Sequence, residues 1–271
     1  MLRVIKDSVH SAWALQKVLG ASALGTSKLW LLHKSGKLDT KKKDGVIQPW
    51  AKGFIEGIGG KITLEGAPLC NKPCLLVGNH MSYLDIPLLW NLESVSFVSK
   101  KEVGDWPLVG TSARAIDTIF VDRNSQRSRG ETLSSIHRAI DEDKKQVVIF
   151  PEGTSSIAGK RWNLGSFRTA ERFNLTVQPF RIFYSPSRLA AFVDDDILLP
   201  CLWKLTQNRG FRASIKLFPP RQITNAQKDC QEVQDLVQSS VAECLELEKR
   251  GCYAVDPETT KTLEHGTETT E

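Results

Sequence analysis

From Lys61 onward the chain alternates short apolar runs with longer stretches of helical periodicity, and this alternation limits the fold more than any other feature. Strands covered by helices on both faces read as continuous apolar runs, not as alternating ones. The expected strands are Lys61–Glu65, Cys74–Val77, Val95–Ser99, Asp117–Val121, Gln146–Phe150, Thr176–Tyr184 and Ala213–Phe218. The expected helices are Asp85–Leu92, Pro107–Ala115, Gln126–Asp143, Leu164–Phe173 and Ala226–Lys249; in the third, Leu133, Ile136 and Ile140 form the inward stripe. The fold class is therefore α/β, a mixed central sheet flanked by helices. Open sheets of this class carry their chemistry beyond the carboxyl ends of the strands, so the residues after each run matter most.

The run Cys74–Val77 leads through Gly78 to Asn79 and His80, and Asp85 follows five residues later. A neutral imidazole can take a proton from an alcohol near neutral pH, and a carboxylate on its other nitrogen fixes the tautomer and stabilises the imidazolium. On a regular helix, residues five apart point about 140° away from each other. The two side chains can meet only if His80 precedes the helix and Asp85 stands at its first turn. Pro87 favours that placement, because proline is tolerated in a first turn. A purely structural reading is also open: Ser82 and Asp85 match a capping box, satisfying free amides at a helix start.

Two other strand ends carry polar groups. Thr118-Ile-Phe-Val-Asp-Arg123 ends in an acid and a guanidinium suited to bidentate phosphate binding, or simply in a surface ion pair. Phe150-Pro-Glu-Gly-Thr154 is a turn in which Glu152 can orient a hydroxyl, and the amides of Gly153 and Thr154 can line an anion site. Taken alone, such a turn is generic.

Together these segments resemble the motifs of the glycerolipid acyltransferases, whose type member is 1-acylglycerol-3-phosphate acyltransferase. Asn79, His80, Ser82 and Asp85 match the first motif, the ending Val121, Asp122 and Arg123 the second, Phe150 to Thr154 the third, and Val177, Gln178 and Pro179 a fourth. The likeness covers roughly residues 61 to 220. It implies that His80, oriented by Asp85, is the base that moves a fatty acyl group from a thioester, acyl-CoA or acyl carrier protein, to a lyso-lipid hydroxyl. It further implies that Arg123, Lys100 and the Glu152–Thr154 turn hold the acceptor head group, that Ser82 is a cap, and that no metal or tightly bound cofactor takes part. The first expectation for the acceptor is 1-acyl-glycerol-3-phosphate, giving phosphatidic acid. Many enzymes acting on that lipid have arginine after the motif's threonine, whereas Ser155 stands here. With Val-Gln-Pro at 177–179, that substitution resembles a branch acting on other lyso-lipids, such as lyso-ornithine lipid. A membrane-binding protein without catalysis is a third reading, opposed by the presence of both His80 and Asp85.

Residues 1–60 form a separate helical segment ahead of the α/β domain, 61–255. Between residues 8 and 32 an apolar stripe with two tryptophans is interrupted by polar residues, and no run reaches the ~18 apolar residues of a spanning helix. It suits a helix lying in a membrane interface, or equally an amphipathic helix packed on the domain. A second helix is expected from Gln48 to Ile58. Residues 1–43 hold nine Lys or Arg against two Asp, a net +7 in a chain of net +5, and Lys41, Lys42 and Lys43 can attract anionic head groups or form a solvated linker. A nucleic-acid partner is not expected, since no such motif accompanies the charge. Six cysteines without metal-ligand spacing, and no secretory signal, fit a reducing compartment and a peripheral or monotopic protein on the cytoplasmic membrane face. The polar tail, 256–271, is expected to be disordered.

Overall fold

The computed structural model describes residues 2–105, 109–122, 126–193, 196–208 and 210–251; Arg123 and the tail 256–271 lie outside them. In chain order the elements are α1 (Leu2–Lys34), α2 (Thr40–Gly57), β1 (Gly60–Gly66), β2 (Leu75–Gly78), α3 (Asp85–Trp90), β3 (Val95–Lys100), a 3₁₀ turn (Lys101–Asp105), α4 (Val109–Ala115) and β4 (Ile119–Val121). There follow α5 (Gln126–Asp141), β5 (Gln146–Ile149), α6 (Gly165–Phe173), β6 (Thr176–Ser185), α7 (Ser187–Ala190), α8 (Leu198–Gln207), β7 (Phe211–Leu217), β8 (Arg221–Gln222) and α9 (Ala226–Lys249).

The strands form one mixed sheet in the order β1-β7-β6-β2-β5-β3-β4, with β8 beside β6. Strands β6, β2, β5, β3 and β4 run parallel, so five carboxyl ends share one edge. Successive side chains point to opposite faces and enter different cores. Leu76 of β2 and Val148 of β5 join Ile55, Leu88, Trp90 and Leu205 on one face. Leu75, Val77 and Val147 join Ile136, Phe167 and Val233 on the other.

Strand β6 is polar at Gln178 and lacks an amide hydrogen at Pro179, yet both are buried. It pairs with β8 at Thr176 and Val177 and with β7 from Phe180 on; between them Pro179 O accepts from Phe218 N at 2.9 Å, and the Phe218 carbonyl, which proline cannot donate to, accepts from Gln178 Nε2 at 3.1 Å. Gln178 and Gln146 clamp the loop before β2. Gln178 accepts from Cys70 N at 2.8 Å and donates to Pro68 O at 2.8 Å, while Gln146 accepts from Cys74 N at 2.9 Å. The Val-Gln-Pro sequence thus has a structural cause at the end of the sheet remote from His80.

The second helix starts well before Gln48, at Thr40, and carries Pro49 inside it. Asp39 caps it by accepting from Lys42 N at 2.8 Å, so the lysine run is a helix start and not a linker. Lys41 and Lys42 stay exposed, but Lys43 is 3% exposed and donates to Asp117, which also accepts from Lys145 at 2.6 Å. Burial opposes the charge on Asp117, but the two lysines outweigh it and hold the carboxyl below its usual range. Lys43 therefore ties α2 to the root of β4. It does not face lipid.

Candidate active site

Gly78 ends β2 against Phe180, whose carbonyl and ring leave no room for a side chain. The chain then turns off the sheet edge. Asn79 acts as a backbone substitute, donating to Ile182 O at 2.9 Å and accepting from Ile182 N at 2.8 Å, which pins the turn to β6. His80 comes next, still ahead of α3, and Asp85 is the first residue of that helix. The geometric condition for contact is met. His80 Nδ1 lies 2.6 Å from Asp85 Oδ2.

The same Asp85 oxygen accepts from Met81 N at 2.9 Å and Ser82 N at 3.2 Å. Its other oxygen accepts from Tyr184 OH at 2.6 Å. Ser82 Oγ accepts from Leu84 N at 3.2 Å, so the capping arrangement and the His–Asp pair are one structure. An oxygen already accepting two backbone amides acts as acceptor toward Nδ1 as well, which makes Nδ1 the protonated nitrogen and leaves Nε2 to take a proton. Asp85 is fully buried, whereas the His80 side chain is 17% exposed. The imidazole stacks on Phe150, ring centroids 4.3 Å apart.

The turn after β5 lies beside this pair because β5 is the parallel neighbour of β2. Ser156 N donates to His80 O at 2.8 Å, and Ser156 Oγ donates to Glu152 Oε2 at 2.6 Å. Glu152 is 7% exposed, and its Oε1, like Trp162 Nε1, is buried without a hydrogen-bond partner. Burial pushes the Glu152 carboxyl up to about 7, against the opposing pull of the Ser156 hydroxyl and His80. Gly153 adopts φ +73°, as the turn requires, and its amide donates to Phe150 O at 3.1 Å. That amide is therefore committed to the turn and not offered to an anion, contrary to the sequence expectation. Thr154 is exposed. Ser155 Oγ donates to the carbonyl of Phe192, whose own amide donates to Met81 O at 3.0 Å.

Lys100 is exposed at the end of β3, two strands from β2 and so about 10 Å along the edge at the usual strand spacing. Asp122 follows β4 and pairs with Lys101 at 3.8 Å. Among the described residues no group of three His, Cys, Asp or Glu could hold a metal ion. Cys74 is buried at the other end of β2, and burial pushes its thiol far above the ordinary value. Tyr184 and Ser156 are the members of this cluster that sequence reasoning did not single out. Ser156, four residues past Glu152 in a polar turn, is the one that spacing could have suggested.

The raised Glu152 carboxyl has a testable sign. With a folded value of about 7 against 4.5, the native state binds the proton more tightly, so stability falls as pH rises between those values. The full cost, on the order of 3 kcal/mol, is present only above pH ~7. Glu152→Gln should therefore melt higher than wild type at pH 8 and equally at pH 4; equal melting at both pH values would refute the burial argument.

The chain belongs to the glycerolipid acyltransferase family and is an acyltransferase: the Acyltransferase family model matches residues 61–183, and a lyso-ornithine lipid O-acyltransferase of Pseudomonas aeruginosa is 35% identical over 224 residues, 75% of this chain and 82% of the relative. A 1-acyl-sn-glycerol-3-phosphate acyltransferase of Neisseria gonorrhoeae is 31% identical over 177 residues, 61% of this chain and 67% of that one. The crystal structure of the 1-acyl-sn-glycerophosphate acyltransferase PlsC from Thermotoga maritima shares the fold, with TM-score 0.65 at 19% identity over 89% of this chain and 97% of that chain.

Proposed function

We propose that this acyltransferase moves a fatty acyl group from a thioester donor to a lyso-lipid hydroxyl, with His80 as general base. The hydrogen bond from His80 to a buried, four-donor Asp85 is the observation that carries this reading. His80 Nε2 takes the hydroxyl proton as the oxygen attacks the thioester carbonyl. The tetrahedral intermediate then expels the thiolate, which recovers the proton from the imidazolium. Two side chains with nucleophilic atoms are engaged elsewhere: Ser82 Oγ caps the turn, and Cys74 is sealed in the sheet.

For the acceptor, we favour lyso-ornithine lipid over 1-acyl-glycerol-3-phosphate. Ser155 stands where an arginine would supply a phosphate ligand, and its hydroxyl is bound to the Phe192 carbonyl. The long alignment with the Pseudomonas relative supports the same choice. Lysophosphatidate remains the second reading because Asp122 and Arg123 match the motif whose arginine binds the acceptor phosphate. In a panel of acceptors assayed by thiol release from palmitoyl-CoA, lyso-ornithine lipid should exceed lysophosphatidate in kcat/KM by about tenfold, the scale of a lost polar contact. The reverse preference would restore lysophosphatidate.

The chain also meets its lipids at a surface, in this reading through α1. No described helix is long and apolar enough to cross a membrane. Yet α1 buries Ala14, Val18 and Leu29 against the domain while leaving Trp13 55%, Leu24 75% and Leu31 59% exposed. Lys17 lies 3.3 Å from the Trp13 ring centroid, a pairing suited to an anionic interface. The double variant Trp13→Glu, Leu24→Glu should lose flotation with anionic liposomes and keep its melting temperature. Undiminished flotation would exclude this helix face.

A further inference from the structure

We propose that Tyr184 is a positioning residue of the transfer: its phenol, bonded to the Asp85 oxygen that His80 does not use, fixes the carboxylate that in turn holds His80. This inference rests on the reading of His80 as the base. The phenol oxygen lies 2.6 Å from Asp85 Oδ1, at the far side of the carboxylate from the imidazole. Tyr184 is fully buried on β6, 99 residues from Asp85, and packs by its ring against Phe211 with centroids 6.0 Å apart.

Packing alone would be served by phenylalanine, which β6 carries at Phe180 and Phe183. The hydroxyl adds a single buried bond, and its partner is the carboxylate of the pair. Burial and the neighbouring Asp85 charge hold the phenol well above its ordinary value, so it stays a donor throughout the working range. Oδ2 is anchored by two amides of the His80 loop itself, which move with that loop. Among the described residues, the Tyr184 phenol is what bonds the carboxylate to the sheet. It thereby sets the plane in which Asp85 meets Nδ1 and the direction in which Nε2 faces substrate.

The experiment compares Tyr184→Phe, Asp85→Asn, their combination and His80→Ala in steady-state acyl transfer. Tyr184→Phe should lower kcat by about 10- to 100-fold, the range spanned by one hydrogen bond to a charged group, with both KM values unchanged. Added to Asp85→Asn it should cost no further activity, because a residue acting through Asp85 has nothing left to position. Wild-type kcat in Tyr184→Phe, or losses that multiply in the double variant, would overturn the proposal. An inactive His80→Ala beside a fully active Tyr184→Phe defeats this inference alone; a fully active His80→Ala defeats the base and this inference together. Should Tyr184→Phe not fold, 3-fluorotyrosine at position 184 retains the packing and strengthens the donor. The imidazole Nδ1–H proton resonance, assigned by its absence in His80→Ala, should then move from its wild-type position; an unmoved resonance would overturn the proposal.

Discussion

His80→Ala lowers acceptor-dependent thiol release by about 10²- to 10⁴-fold, the contribution of a positioned general base. The loss falls on kcat, since the proton is taken only as the new bond forms. Stability changes little. The imidazole is partly exposed, and its removal still leaves Asp85 with the Met81 and Ser82 amides and the Tyr184 phenol. The measurement is palmitoyl-CoA turnover with a lyso-lipid acceptor, accompanied by a thermal melt. A variant that turns over at the wild-type rate would remove His80 from the chemistry.

Asp85→Ala behaves differently, because it damages both activity and fold. It strands three buried donors besides the imidazole, namely the amides of Met81 and Ser82 and the Tyr184 hydroxyl. Each unsatisfied buried group costs about 1–3 kcal/mol, so the total is at least ~3 kcal/mol. In a chain of this size that corresponds to a melting temperature about 10 °C lower. Asp85→Asn keeps an oxygen to accept these bonds and should melt close to wild type. Its activity should nonetheless fall toward that of His80→Ala, because the neutral amide oxygen that accepts from Nδ1 no longer stabilises the imidazolium. Equal melting of Asp85→Ala and Asp85→Asn would show that the carboxylate is not the structural hub described above.

The pair His80–Asp85 was legible because both members lie within one turn of chain, where Gly78, Ser82 and Pro87 announce how the strand gives way to a helix. Strand positions were legible for a similar reason. Runs buried on both faces, such as Cys74–Val77 and Gln146–Phe150, leave a local signal. Contacts made over long sequence distances left none. Tyr184 reads as one more apolar residue of β6, and only the parallel pairing of β6 with β2 brings its hydroxyl to Asp85. Lys43 read as part of a charge run because its partner Asp117 is 74 residues away. Gln178 read as a marker of substrate branch, whereas its amide holds the Pro68–Cys70 loop. Helices α7 and α8 went unread, being short and set beside the acidic run Asp194–Asp196.

The proposed function turns on direct transfer from thioester to lipid hydroxyl through His80, without an acyl-enzyme. Rapid mixing of the enzyme with palmitoyl-CoA, with and without lyso-ornithine lipid, tests it by following thiol release and the intact protein mass together. Direct transfer predicts no burst without acceptor, an unmodified protein mass, and release that begins only when the lipid is present. A stoichiometric burst in the absence of acceptor, with palmitate added to the protein, would contradict it.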